Sequence, residues 1–96
     1  MKKLKLDEIM TDEFGKFGTI VDKVEKVEEE HEEMLNEYME GNEELMFSET
    51  LDCIQATRSF LVYQCEKLGV DTVARYLADW TAKQENRKHK YLKGDK

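Results

Sequence analysis

Apolar side chains recur at spacings of three and four along most of the chain, which is the pattern of amphipathic α-helices. The first clear run begins near Thr19 and extends for about 20 residues, a typical helix length, until Gly41-Asn42 supplies a helix end. Its predicted buried stripe consists of Ile20, Val24, Val27, His31, Met34 or Leu35, and Tyr38. We expect His31 to be a core residue rather than a metal ligand.

A second helix is predicted from about Glu43 to Lys67, and it is apolar on two sides. Such a helix is buried on two sides, so we expect it to be the central element of the fold. Gly69 fits the end of this helix, and Asp71 fits the cap of a third helix that reaches about His89. The pattern predicts one all-α domain over residues 1–96, with a core of about 19–90. Residues 1–18 are expected to form an N-terminal arm, whose first ten residues are either a short helix or extended.

The chain is too small to cover both apolar faces of its second helix. It has 96 residues, no proline and 39% charged residues, a composition that favours long helices around a marginal core. We therefore expect antiparallel helical hairpins that form a four-helix-bundle core by oligomerisation, as a homodimer or tetramer. Phe60, Leu61 and Tyr63 are the predicted contact residues between subunits.

The charge is unevenly distributed along the chain. The net charge of −7 argues against stable nucleic-acid binding. Acidic residues dominate from Glu25 to Asp52, and basic residues dominate after Lys83. Charge runs are usually solvated surface, but this distribution also suits an anionic ligand that arrives with a metal ion. Cys53 and Cys65 are expected to be buried thiols, and the absence of an apolar run of membrane-spanning length favours a cytoplasmic protein without membrane contact.

Two pairs of acidic residues stand at helical spacing on neighbouring helices. Glu30 and Glu33 are three residues apart, as are Glu49 and Asp52, so each pair shares one face of its helix. Facing helices would gather four carboxylates that repel one another unless a cation is present. The second pair falls on a predicted inward face, where a coiled coil gains nothing from acids. The pairs therefore predict a metal site.

The acidic motifs resemble those of a known family. Glu29-Glu30-x-x-Glu33 is followed, after fifteen residues, by Glu49-x-x-Asp52. This order is similar to the signature of the MazG-like all-α nucleoside triphosphate pyrophosphatases. A later basic motif, Lys83-x-x-Asn86-Arg87, resembles the signature that closes the last core helix of that family. Two departures are Ser48, where the family often has glutamate, and Leu51, where many members have glycine.

The resemblance implies an enzyme that hydrolyses a ribo- or deoxyribonucleoside triphosphate to the monophosphate and pyrophosphate with Mg²⁺, or with Mn²⁺. It implies metal ligands at Glu30, Glu33, Glu49 and Asp52. One of these ligands, such as Glu30, or the neighbouring Glu29 would accept a proton from the attacking water. The phosphates would meet Lys83, Asn86 and Arg87. Two alternatives remain open: a non-catalytic helical interaction or regulatory module, and a degenerate family member that binds nucleotide without turnover.

Overall fold

The computed structural model describes residues 3–92, and over this range the chain is all-helical. Helix α1 spans Leu6–Ile9 and is followed by a 3₁₀ helix at Glu13–Lys16. Three long helices follow: α2 at Ile20–Glu40, α3 at Glu43–Leu68 and α4 at Val70–Leu92. The predicted all-α class is confirmed. The parts of the predicted domain at residues 1–2 and 93–96 lie outside the described range.

Local sequence signals set the ends of α2. The Thr19 hydroxyl accepts a hydrogen bond from the Asp22 N–H (3.2 Å), and the Asp22 carboxylate accepts one from the Thr19 N–H (2.8 Å), which completes a capping box. At the other end, Gly41 takes a left-handed conformation (φ +74°), and its N–H donates to the Tyr38 carbonyl. The predicted start and end of this helix are confirmed.

The ends of α3 also follow the sequence closely. The Asn42 side-chain oxygen accepts a hydrogen bond from the Leu45 N–H (3.1 Å) and caps the start of the helix. The helix ends at Leu68, one residue beyond the predicted Lys67, and Gly69 follows it in a left-handed conformation (φ +86°). The prediction that Asp71 caps α4 is wrong. The Gly69 carbonyl already accepts from the Val73 N–H, so α4 begins at Val70 and Asp71 lies in its first turn.

The chain divides into two compact units, Met1–Gln64 and Cys65–Lys96. In the first unit, the short Gly41-Asn42 connection returns the chain so that Glu30 on α2 faces Glu49 and Asp52 on α3. These two helices therefore form an antiparallel hairpin. The second unit contains the end of α3 and all of α4, where the Arg75 guanidinium lies 5.2 Å from the centre of the Tyr76 ring.

The N-terminal arm, of which residues 3–18 are described, contacts α3 through polar groups. Arg58 Nε lies 2.6 Å from Asp12 Oδ1, and its Nη1 lies 2.9 Å from Asp7 Oδ1. The side-chain amide of Gln55 exchanges two hydrogen bonds with the backbone of Thr11, at 2.9 and 2.8 Å. The arm thus contains both a short helix and extended residues, the two forms that the sequence left open.

A glycine allows the backbone of the arm to pack closely against α3. Gly15, in the 3₁₀ helix, is buried, and an added Cβ would lie 2.6 Å from the Val62 Cβ and 2.9 Å from the Ser59 carbonyl oxygen. No other residue fits this position without displacing one of the two segments. The adjacent Phe14 carbonyl accepts a hydrogen bond from the buried Lys23 ammonium of α2. The arm is therefore joined to both helices of the hairpin.

The apolar faces of α3 are only partly covered by the residues that the structure describes. Among residues 3–92, Ala56 is the only apolar side chain that is buried. Leu61 is 57% exposed, while Phe60 and Tyr63 are half-buried. Cys53 and Cys65 are free and half-buried, so the expectation that these thiols are buried is wrong in this chain. No helix in the described range has the length and apolar character to span a bilayer.

Candidate metal centre

The hairpin of α2 and α3 brings carboxylates from both helices together. Carboxylate oxygens of Glu29, Glu30 and Glu33 lie within 4.8 Å of one another, and the same holds for Glu30, Glu49 and Asp52. Glu30 belongs to both groups. The spacing of three residues places each pair on one side of its helix, and the tight turn at Gly41 sets the two sides against each other. The four predicted metal ligands are thus found in two overlapping groups.

Two of these carboxylates have oxygens that are shielded from water and unpaired. Glu30 is only 7% exposed, and its Oε2 is buried without a hydrogen-bond partner. Glu49 is half-buried, and its Oε2 is likewise buried without a hydrogen-bond partner. A buried charged oxygen without a partner destabilises the folded state, typically by about 1–3 kcal/mol or more. A cation placed between these oxygens would remove that cost.

The environment of Glu33 shows the effect of the crowding. Desolvation is the main cause that raises the pKa of its carboxyl group above the ordinary value. The negative charge of Glu30 and the close contact with Glu49 raise this pKa further. Each cause disfavours the ionised form of Glu33. The cluster therefore accommodates its full negative charge poorly unless positive charge is nearby.

The positive side chain of Lys26 reaches the cluster. Lys26 Nζ lies 2.8 Å from Glu30 Oε1 and 3.5 Å from Glu29 Oε1. The contact with Glu30 is the first cause that raises the pKa of Lys26. This lysine was not predicted from the sequence as part of the site. Its position four residues before Glu30 was an available signal, because side chains at that spacing are neighbours on a helix.

A cleft of about 540 Å³ lies beside the acidic cluster. Helix α2, helix α3 and the arm all contribute to its lining, which consists of Phe14, Asp22, Lys23, Lys26, Glu30, Asp52, Gln55, Ala56 and Ser59. It is large enough for a small molecule. It combines two lysines and several carboxylates with the apolar surface of Phe14 and Ala56. Lys23 and Phe14 are further cleft residues that were not predicted from the sequence.

Several predicted positions differ from the observed ones. Asp52 is exposed rather than buried, because it lies where α3 borders the open cleft. His31 is also exposed, so its predicted place in the core is wrong. Glu29 is exposed at the edge of the cluster, with Lys26 as its partner. The three predicted phosphate-binding residues lie on α4, in the second unit, and their role stays a prediction: Lys83, Asn86 and Arg87.

The donor set fits a hard divalent cation. All the candidate ligands are carboxylates, the oxygen donors that Mg²⁺ and Mn²⁺ prefer over nitrogen or sulfur. Two of the carboxylate oxygens are buried without a hydrogen-bond partner, whereas the carboxylates of an ordinary acidic surface would be solvated by water. The residues that could hold the metal are Glu30, Glu33, Glu49 and Asp52, with Glu29 at the edge.

Comparison of the chain with protein-family models, with curated proteins and with solved structures gave no match. Membership of the MazG-like family therefore stays a prediction based on the acidic and basic motifs.

Proposed function

We propose that this protein is a Mg²⁺-dependent nucleoside triphosphate pyrophosphohydrolase. It cleaves a ribo- or deoxyribonucleoside triphosphate between the α- and β-phosphates and releases the monophosphate and pyrophosphate. The observation that supports this proposal most directly is the convergence of two helical acid pairs around Glu30, whose Oε2 is buried and unpaired. The resemblance of the two acidic motifs to the pyrophosphatase signature supplies the reaction class.

Each carboxylate has a role in this proposal. Glu30, Glu33, Glu49 and Asp52 hold the metal through oxygen atoms, as the chemistry of Mg²⁺ requires. When bound, the metal neutralises phosphate charge and makes water a better nucleophile. Glu29 stands at the exposed edge of the cluster, where solvent water reaches it. Glu29, or Glu30 within the cluster, accepts the proton that this water loses as its oxygen bonds to phosphorus.

The remaining residues of the proposal concern the phosphates and the subunits. Lys83, Asn86 and Arg87 are proposed to contact phosphate oxygens, for which ammonium and guanidinium groups are suited.

We also propose that the protein works as a homodimer or tetramer with a four-helix core. The exposed Leu61, with Phe60 and Tyr63, is the proposed contact surface. Covering these apolar side chains would stabilise the folded state by about 25 cal/mol per Å² of buried apolar area.

A screen for pyrophosphate release tests the activity. Purified protein is incubated with each common ribo- and deoxyribonucleoside triphosphate, with Mg²⁺ or Mn²⁺, and pyrophosphate and orthophosphate are measured separately. We expect pyrophosphate from at least one nucleotide, and none after addition of EDTA. Glu49→Gln should abolish release because it removes a ligand charge. Glu32→Gln is the matched control, since Glu32 is an exposed glutamate of α2 outside both acid groups.

The same screen separates the alternatives. If no nucleotide gives pyrophosphate above the Asp52→Asn background, the enzyme proposal is wrong. Nucleotide binding without release would then support a degenerate family member, and absence of both would support an interaction module. If the protein is active, Arg87→Ala should chiefly raise KM, provided that this residue contacts the phosphates equally in the ground and transition states.

A further inference from the structure

Lys26 holds the position that a metal ion would compete for. Its Nζ lies 2.8 Å from Oε1 of Glu30, the carboxylate shared by both acid groups, and 3.5 Å from Oε1 of Glu29. Glu30 is more than nine-tenths buried, and its other oxygen has no partner. The lysine therefore neutralises one side of the cluster and leaves the buried side without a cation.

The lysine is held loosely. Its side chain is 55% exposed, and its two partners are the residues three and four positions later on the same helix. Pairs at these spacings within one helix contribute little to its stability, and here the ammonium end stays open to water although the Glu30 carboxylate is buried. A divalent cation bound to Glu30 would repel the Lys26 ammonium group, which lies 2.8 Å from Glu30 Oε1. Lys26 can therefore leave Glu30 without disturbing α2.

The cleft gives Lys26 a second place to act. Lys26, Glu30 and Asp52 all line it, so an ammonium group released from Glu30 remains beside the acidic cluster. Lys23 also lines the cleft, but its ammonium is already bound to the Phe14 carbonyl. Lys26 is the more exposed of these two lysines. An oxyanion that shares the metal with Glu30 would lie within reach of it.

We propose that Lys26 is an exchangeable counter-ion of this site: it holds Glu30 in the metal-free protein, is displaced by a divalent cation, and then binds a phosphate group in the cleft. The inference rests on the metal site of the proposed function and adds to it the residue that couples metal binding to phosphate binding. The ligand class is a polyphosphate bound together with its metal.

Calorimetric titration of the full chain with Mn²⁺ alone tests the displacement. Lys26→Met should bind Mn²⁺ several-fold more tightly than the wild type, because no ammonium group must be displaced. Lys16→Met is the matched control: Lys16 makes an exposed pair with Glu13 at 3.3 Å and three-residue spacing, outside the cluster, and its loss changes the net charge equally. Methionine is a good helix former, so α2 should persist in Lys26→Met, which circular dichroism checks.

A second titration with inorganic pyrophosphate, at saturating Mn²⁺, tests the phosphate contact. Lys26→Met should weaken pyrophosphate binding about tenfold or more, and Lys26→Arg should restore it, whereas Lys16→Met should match the wild type. If Lys26→Met binds Mn²⁺ no more tightly than Lys16→Met, the counter-ion role is wrong although the metal site stands. If pyrophosphate affinity is unchanged, the phosphate contact is wrong. Absence of Mn²⁺ binding in every variant would overturn this inference and the proposed function together.

Discussion

The close contact of Gly15 with α3 gives a prediction whose sign can be worked out. In Gly15→Ala, the new Cβ would lie 2.6 Å from both Cβ and Cγ1 of Val62 and 2.9 Å from the Ser59 carbonyl oxygen. The Cβ and the carbonyl are fixed by the backbone of α3, and valine is stiff at χ1. The helix therefore has no inexpensive way to yield. The arm must shift away from it.

The magnitude follows from two opposing contributions. Gly15 does not have a positive φ, so alanine fits its backbone conformation. Without the contact, this replacement would stabilise the protein by about 0.4–1 kcal/mol through the unfolded state. Overpacking of this kind costs about 1–3 kcal/mol. The net expectation is a loss of about 1–2 kcal/mol, which lowers Tm by roughly 5–15 °C in a domain of this size.

Thermal and urea unfolding, followed by circular dichroism, would measure this loss. Lys16→Ala provides the control, because Lys16 is an exposed residue of the same 3₁₀ helix and its replacement should change stability by less than about 0.5 kcal/mol. Gly15→Ala combined with Val62→Ala should recover part of the loss, since the Cγ1 contact disappears while the other two remain. A Gly15→Ala protein as stable as the wild type would show that the arm does not rest on α3 in solution.

Three further predictions concern the acidic cluster, the start of α2 and the assembly. Mg²⁺ or Mn²⁺ should raise Tm, because a ligand that binds only the folded state stabilises it. Asp52→Asn should weaken that effect yet raise Tm in EDTA, because one repelling charge is gone. If Glu32→Gln behaved in the same way, the assignment of Asp52 as a metal ligand would be contradicted. The hydrogen bonds from Thr19 lower the pKa of Asp22 in the folded state. The ionised Asp22 therefore stabilises the folded protein above the ordinary aspartate pKa of the unfolded chain. This stabilisation is lost as the pH falls through the lower folded pKa. Melts from neutral into acidic solution should therefore show Asp22→Asn less stable near neutrality and equal to the wild type in acid, whereas a constant difference would refute this linkage. Sedimentation at low micromolar concentration should show a dimer or tetramer that Leu61→Glu dissociates, and a folded wild-type monomer would count against the assembly.

Short-range signals determined the long helices of this protein. Thr19 with Asp22, and the glycines at positions 41 and 69, mark helix ends through contacts within a few residues, which is why the sequence predicted those ends closely. The meeting of the two acid pairs was also predictable. Helical spacing sets each pair on one side, and a connection as short as Gly41-Asn42 leaves the two helices little choice but to run antiparallel.

The tertiary structure decided which side of each helix is covered and what completes the site. Periodicity did not fix the rotation of α2, so His31 was predicted in the core although it faces water. The arm reaches α3 through pairs such as Thr11 with Gln55, which are 44 residues apart, and no local pattern encodes a contact at that separation. Only that docking places Phe14 at the cleft, beside the two lysines of α2. Helix ends depend on backbone groups nearby in sequence, whereas a cleft depends on surfaces that meet only after the chain has folded.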